Sequence, residues 1–369
     1  MNTFVEKLAM PHVNKPVVGW IENYVPEEII HAAGLQPFRI VGHREVHNKY
    51  EEYLSADFCS FAKNVIDAAL SQKYGFLDGI IVTNTCTVME RLFDVWREYI
   101  GTPFVYMLEV PKKTDAQAIL FFEGKLHEMM EAISSHFKTF ISVDDLKNSI
   151  RVYNESRTIL MELSDSRAQT HLPVATRDIV RIVQSASGGI GRNNACRESA
   201  ALKKLLDSAQ RERFAREVPR ILITGGIIPG MEIADTISKC GGEVVYEDLC
   251  IGSRYYEDLV ADGNDPVKAL AERYARKITS GRSDSGFEKF NRISDKIDKF
   301  AVDGVICIWT SFCVSDIYDV TYVKKHLEKA GTPTLVIEFD HNSLNSEQHT
   351  MRIEAFLELL SERKKRCCL

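Results

Sequence analysis

The sequence predicts an α/β protein of two similar three-layer domains with parallel sheets, joined by a helical segment. Three observations carry this. The chain has 369 residues, too many for one ordinary core, so two domains are expected. Short apolar runs alternate with helical patterns in two separate series, and such alternation implies a parallel sheet covered on both faces. Between the two series lies a long stretch of amphipathic helix pattern. The boundaries that follow are 1–165 for an N-terminal α/β domain with trailing helices, 166–218 for a helical connector and 219–369 for a C-terminal α/β domain.

The first series opens with "YVPEEIIHAAGLQPFRIVG". Pro26 suits the first helical position, Glu27 and Glu28 suit the positive end of the helix dipole, and Gly34 stops the helix. Phe38 to Val41 is then a short strand. "SADFCSFAKNVIDAAL" is a helix starting near Asp57 with Cys59 in its first turn. Ile80 to Val82 is a buried strand, Thr87 to Glu98 a helix, and "TPFVYML" a strand. From Thr114 to about Gln210 the pattern is mostly helical. "SASGGIGRNN", Ser185 to Asn194, is a turn: no strand precedes it and no P-loop Lys follows, so its glycines do not read as a phosphate cradle. The second series runs from Pro219. "RILITGG" is a strand, "PGMEIADTISKCGG" a helix and "EVVYEDL" a strand, with helices from about Arg254 to Ile297. "DGVICIW" is a strand, "SDIYDVTYVKKHLEKAG" a helix, "TPTLVIEFD" a strand and "SEQHTMRIEAFLELL" the last helix. Gly225-Gly226 has the look of a dinucleotide turn, but the full GxGxxG spacing is absent.

Composition narrows the function classes. Net charge is −6 and the pI about 6.0, which gives no basic field for nucleic acid. No apolar run reaches membrane-spanning length, and "MNTFVEKLAM" lacks a signal-peptide core, so a cytoplasmic protein is expected. The nine Cys are scattered, with no compact CxxC pair and no look of a disulfide framework. Cys240 and Cys307 read as core filler. The tail "RKKRCCL" fails as a prenylation signal, because Arg366 stands fourth from the end.

Two stretches repeat one arrangement: "DGIIVTNTCTVMERLFDVW" and "DGVICIWTSFCVSDIYDV". In each, a buried strand emerges and a thiol, Cys86 or Cys313, precedes the next helix. Ligands of open parallel sheets bind beyond the carboxyl ends of strands. Cys59, at a helix start, can join them, because the dipole there favours thiolate. Three thiolates with one open position would suit a catalytic iron–sulfur cluster. On spacing alone, structural cysteines stay open as the alternative.

Further segments carry a resemblance: "YVPEEIIHAAGLQPFRI", "DFCSFAKNVIDAALSQKYGFLDGIIVTNTC", "EVVYEDLCIGSR", "SFC" and "GTPTLVIEFDHNSLNSEQHTMRIEAF". Over nearly its whole length the chain resembles the 2-hydroxyacyl-CoA dehydratase and benzoyl-CoA reductase subunit family. The resemblance implies a 4Fe–4S cluster in the cleft between two α/β domains, with Cys59, Cys86 and Cys313 as ligands. It implies a lyase that eliminates water from a 2-hydroxyacyl-CoA through a ketyl radical, under anaerobic conditions, after one-electron reduction by an ATP-dependent activator. It also implies a paralogous subunit as heterodimer partner and an acyl-CoA substrate. A benzoyl-CoA reductase-type subunit and a non-catalytic electron-transfer subunit are the alternatives. Glu28 matches the family position for moving protons, with a helix-dipole partner as the structural reading, and His31 is a second candidate. Two positions depart from the family pattern. Thr87 and Val314 stand where Asp is usual, with Ser315 in place of Pro, which alters the charge and hydrogen bonding around those thiols. Cys250 is a spare thiol. A larger double-cubane cluster is disfavoured by Trp20-Ile21, where an extra Cys would be needed.

Overall fold

The computed structural model describes residues 15–43, 46–168, 176–186, 204, 218–228, 232–277, 286–341 and 347–367. Most of the glycine-rich stretch Ser185–Asn194, much of the expected connector, the first residues and the end of the tail lie outside them. The chain forms two compact units. The first holds the described residues between 15 and 158 and those from 257 to 277; the second holds those between 159 and 256 and those from 286 onward.

In chain order the elements are β1 (Val17–Trp20), α1 (Glu27–Ala32), β2 (Gln36–Arg39), α2 (Ser60–Leu70), β3 (Gly79–Thr83), α3 (Thr87–Val95), β4 (Phe104–Leu108), α4 (Ala116–Phe137) and α5 (Val143–Ser166). There follow α6 (Thr176–Ala186), β5 (Arg220–Gly225), α7 (Glu232–Lys239), β6 (Glu243–Asp248) and α8 (Ser253–Tyr256). The chain then returns to the first unit with α9 (Pro266–Ala275), which packs on α4. It closes in the second unit with α10 (Gly286–Lys299), β7 (Gly304–Thr310), α11 (Val314–Lys329), β8 (Thr334–Phe339) and α12 (Glu347–Cys367). Each sheet has four strands, all parallel, in the orders β2-β1-β3-β4 and β6-β5-β7-β8. The expected pair of α/β domains with parallel sheets is therefore what the chain forms.

Burial explains why these runs are strands. β1, β3 and β5 are buried along their whole length, as a sheet covered on both faces requires. In the second unit alternate residues feed two separate cores. Ile221, Ile223, Ile306 and Ile308 enter one, and Leu222, Val305 and Cys307 the other. Cys307 is thus core filler, and burial pushes its thiol up to about 12. Cys240 packs partly buried against the other core.

Element ends shift by a few residues. The helix expected from Asp57 begins at Ser60, with Cys59 as its N-cap. The helix expected to reach Glu98 ends at Val95 and continues as a π turn over Trp96–Ile100. The Gly225-Gly226 turn has a packing cause. A Cβ on Gly225 would lie 2.3 Å from the Ile308 carbonyl oxygen, and one on Gly226 2.2 Å from an Asp316 carboxylate oxygen. Among the described residues no helix is long and apolar enough to cross a membrane.

Candidate functional site

In a strand–helix–strand unit the helix runs antiparallel to the sheet, so its N-terminus lies at the carboxyl edge of the strands. Cys59, Cys86 and Cys313 each occupy the N-cap of such a helix: α2, α3 and α11. β3 and β7, which precede Cys86 and Cys313, hold the same place in two sheets of identical strand order. The two thiols therefore sit at equivalent points of the two units. A helix start stabilises a thiolate. Cys59 and Cys313 are buried and Cys86 is half-buried, and none of the described cysteines forms a disulfide.

Local bonds hold the loops. Asn84 Oδ1 accepts from the Val110 amide at 2.8 Å, tying the approach to Cys86 to the end of β4. The Cys313 amide donates to Thr310 O at 2.8 Å, closing a tight turn in which Phe312 has φ +62°. That conformation is costly for a bulky residue and clusters at sites where the surroundings impose it. Asp316, in the first turn of α11, is buried against Gly226 and accepts from the Thr310 amide at 3.3 Å. Val314, one of the two departures from the family pattern, is largely exposed.

The chemistry of three thiols at helix starts fits ligation of iron. Their grouping is another matter: Cys59 and Cys86 belong to the first unit and Cys313 to the second. Among the described residues no three His, Cys, Asp or Glu side chains are gathered as a ready-made metal site.

Glu28, in the first turn of α1, is fully buried. Its Oε1 accepts from Arg157 at 2.5 Å, and its Oε2 accepts from the Tyr274 hydroxyl at 2.8 Å. Arg157 also donates to the Tyr274 oxygen at 3.1 Å. Burial alone would raise the carboxyl pKa. The Arg157 and Arg273 charges outweigh it and hold the group at about 2. Arg273 lies 4.7 Å over the Tyr274 ring and donates to the Asp258 and Glu257 carbonyls at 2.6 and 3.1 Å. Lys277 is buried 5.3 Å from the same ring. Burial, then the charges of Arg273, Arg157 and Arg39, hold its pKa well below the usual lysine value. His31 bonds the Ser149 hydroxyl at 3.0 Å, and that hydroxyl donates to the Glu28 carbonyl at 2.8 Å. Glu28 is thus an ionised partner that fastens α1 to α5 and α9, more than a helix-dipole partner.

Arg157, Arg273, Tyr274 and Lys277 are the residues that sequence reasoning missed. One signal existed. The buried stripe of α5 runs Leu146, Ile150, Tyr153, Arg157, Leu160 and Ser164, and the turn just after the helix adds the buried Arg167, so two arginines continue an apolar face. The second of them, Arg167, pairs with Glu247 of β6, and both are fully buried. At the ends of β5 and β6, Asp248 accepts from Arg254 at 2.6 and 2.8 Å and from Thr224 at 2.7 Å. Cys250 is buried beside this cluster.

The family model described as 2-hydroxyglutaryl-CoA dehydratase, D-component, matches residues 22–360. The chain is 25% identical over 362 residues to the (R)-phenyllactyl-CoA dehydratase beta subunit of Clostridium sporogenes, covering 96% of this chain and 95% of that one. It is 24% identical over 344 residues to a benzoyl-CoA reductase subunit of Thauera aromatica, covering 89% and 87%. It is 24% identical over 361 residues to the (R)-2-hydroxyglutaryl-CoA dehydratase beta subunit of Acidaminococcus fermentans, covering 94% and 93%.

Proposed function

Since the chain belongs to the family of the 2-hydroxyglutaryl-CoA dehydratase D-component, we propose that it is the iron–sulfur subunit of a 2-hydroxyacyl-CoA dehydratase. The observation that carries this is the placement of Cys59, Cys86 and Cys313 at helix N-caps on strand carboxyl edges, two of them at equivalent points of the two units. In this reading the three thiolates would hold a 4Fe–4S cluster. When bound, the cluster supplies one-electron chemistry and a Lewis acid. An ATP-dependent activator would deliver one electron, the acyl-CoA would pass through a ketyl radical, and water would leave as hydroxide and a proton with the electron handed back, so that the elimination is redox-neutral. The enzyme is made whole by a paralogous partner, in keeping with relatives that are themselves named as subunits.

Glu28 is the proposed proton-moving group, and its environment sets a condition. At a pKa of about 2 it is a weak base at neutral pH, because efficient general bases have pKa values near the working pH. Proton transfer there requires its bonds to Arg157 and Tyr274 to loosen. With them closed, Glu28 only anchors α1.

A benzoyl-CoA reductase-type role is favoured by one of the relatives, the Thauera aromatica benzoyl-CoA reductase subunit. The test is anaerobic co-purification with the paralogous partner and the activator, followed by assay with 2-hydroxyacyl-CoA and benzoyl-CoA. Turnover of the first supports the dehydratase reading, and turnover of benzoyl-CoA alone replaces it. An iron-loaded complex that turns over neither thioester leaves an electron-transfer subunit as the reading.

A further inference from the structure

Helix α2 buries a stripe that its sequence marks as polar. Ser60, Lys63, Asn64 and Asp67 lie on one face, three or four residues apart, and all are nearly inaccessible. A buried polar face must find partners, and for Lys63, Asn64 and Asp67 these include main chain. Lys63 Nζ donates to Ala56 O at 2.5 Å. Asn64 accepts from the His43 amide and donates to the His43 carbonyl, both at 2.6 Å. Asp67 accepts from the His47 and Lys49 amides, each at 2.6 Å. Gly42 makes room for this: at φ +88°, a Cβ there would lie 2.5 Å from Asn64 Oδ1. The segment so held joins β2 to α2. Its described residues contain no strand and only one short helical turn, Lys49–Glu52.

We propose that this stripe, with Lys63 at its head, is a positioning device for Cys59; the inference rests on Cys59 being a cluster ligand. Cys59 stands one turn before Lys63, and the Lys63 amide donates to Cys59 O at 3.2 Å. The Lys63 ammonium reaches back over the cap to Ala56, three residues before the thiol. The Tyr50 ring lies 5.8 Å from that ammonium. The loop is thereby gripped on the near side of the thiol, and α2 fixes the far side. Because the contacts are to backbone, they set where the loop runs whatever its side chains are. Lys63 is a positioning residue that works through Cys59.

Residues that orient a metal ligand typically contribute 10- to 100-fold in metal affinity. Apo K63M is therefore expected to take up iron about 10- to 100-fold more weakly than wild type during anaerobic reconstitution, and K63R to recover much of the loss. Linkage adds a readout in the unaltered protein. If the clasp positions a ligand, loading the cluster must stabilise the clasp in return. Hydrogen exchange at the His47 and Lys49 amides should slow when the wild-type chain is reconstituted. Wild-type iron affinity in K63M, or unchanged exchange over 46–56 on loading, overturns the proposal. If K63M does not fold, the exchange experiment decides alone. Wild-type protein that takes up no iron overturns the ligand reading itself, and the proposal with it.

Discussion

A carboxylate without solvent contact is tolerated only when it is paired and hydrogen-bonded, and Glu28 meets that condition with one arginine and one tyrosine. Breaking such a pair from one side leaves a buried charge alone. Arg157→Met should therefore cost about 3–5 kcal/mol of stability, by urea unfolding at pH 7. The same pair predicts a pH dependence. The folded-state pKa, about 2, lies below the ordinary value of 4.5, so the contribution is fully present above the unfolded value. It is lost as pH falls through the folded one. Its size is on the order of 3 kcal/mol, and Glu28→Gln should remove this part of the acid-side decline in unfolding midpoint between about pH 5 and 2. In turnover, the same variant should lose roughly 100- to 10,000-fold if Glu28 moves a proton. Near-normal turnover with iron and partner retained would confine Glu28 to anchoring. The cysteines allow a sharper comparison. Ser at Cys59, Cys86 or Cys313 should lower iron content strongly, and Ser at Cys240 or Cys307 should leave it near wild type; equal iron in all five variants would sink the ligand assignment. Cys86 and Cys313 stood out in the sequence because each sits between a strand pattern and a helix pattern, whereas Cys59 was marked only by its place at a helix start. The partners of Glu28 were not legible, because Arg157 and Tyr274 lie 129 and 246 residues away along the chain.

Among elements, the turn after β5 shows a glycine pair with a packing cause. Gly225-Gly226 has the look of a ligand loop in sequence, yet Gly226 is small because Asp316 of α11 occupies the space where a side chain would be. Gly226→Ala forces a carboxylate to move and should cost about 1–3 kcal/mol, as overpacking does. In a Gly226→Ala, Asp316→Gly double variant the two costs should be non-additive, because the second change vacates the space the first one needs. Strict additivity by urea unfolding would mean that the two sites do not meet. Helix and strand order was readable from periodicity and turn residues. Helix starts were less so. Asp57 resembles an N-cap, but the chain keeps an irregular path to Cys59 because the buried face of α2 binds the main chain there.

At the scale of the whole molecule, the repeated strand order was foreshadowed by the two Asp-Gly strand starts, at Asp78 and Asp303, each followed by a thiol before a helix. Those aspartates also act alike: Asp78 accepts from the Val17 amide and Asp303 from the Arg220 amide, both at 2.7 Å, stitching β3 to β1 and β7 to β5. If the chain is one of two paralogous subunits, co-expression with that paralogue should give a stable one-to-one complex on sizing at micromolar concentration. A monomer under those conditions would count against it. What no local pattern announced was the return of α9 to the first unit. Its polar residues complete a site begun in α1 and α5, where α9 packs on α4.

That return has a consequence for how the chain is made. A ribosome releases Arg157 long before Tyr274 and Lys277. At roughly 5–20 residues per second, the 117 residues separating Arg157 from Tyr274 take about 6–23 s to synthesise. Throughout that interval the nascent first unit holds Glu28 and Arg157 without the tyrosine that bridges them, while the strands of the second unit are already emerging. The amino-terminal half is therefore born incomplete, and a stall or truncation anywhere before α9 leaves a charged interior open to water and to chaperones.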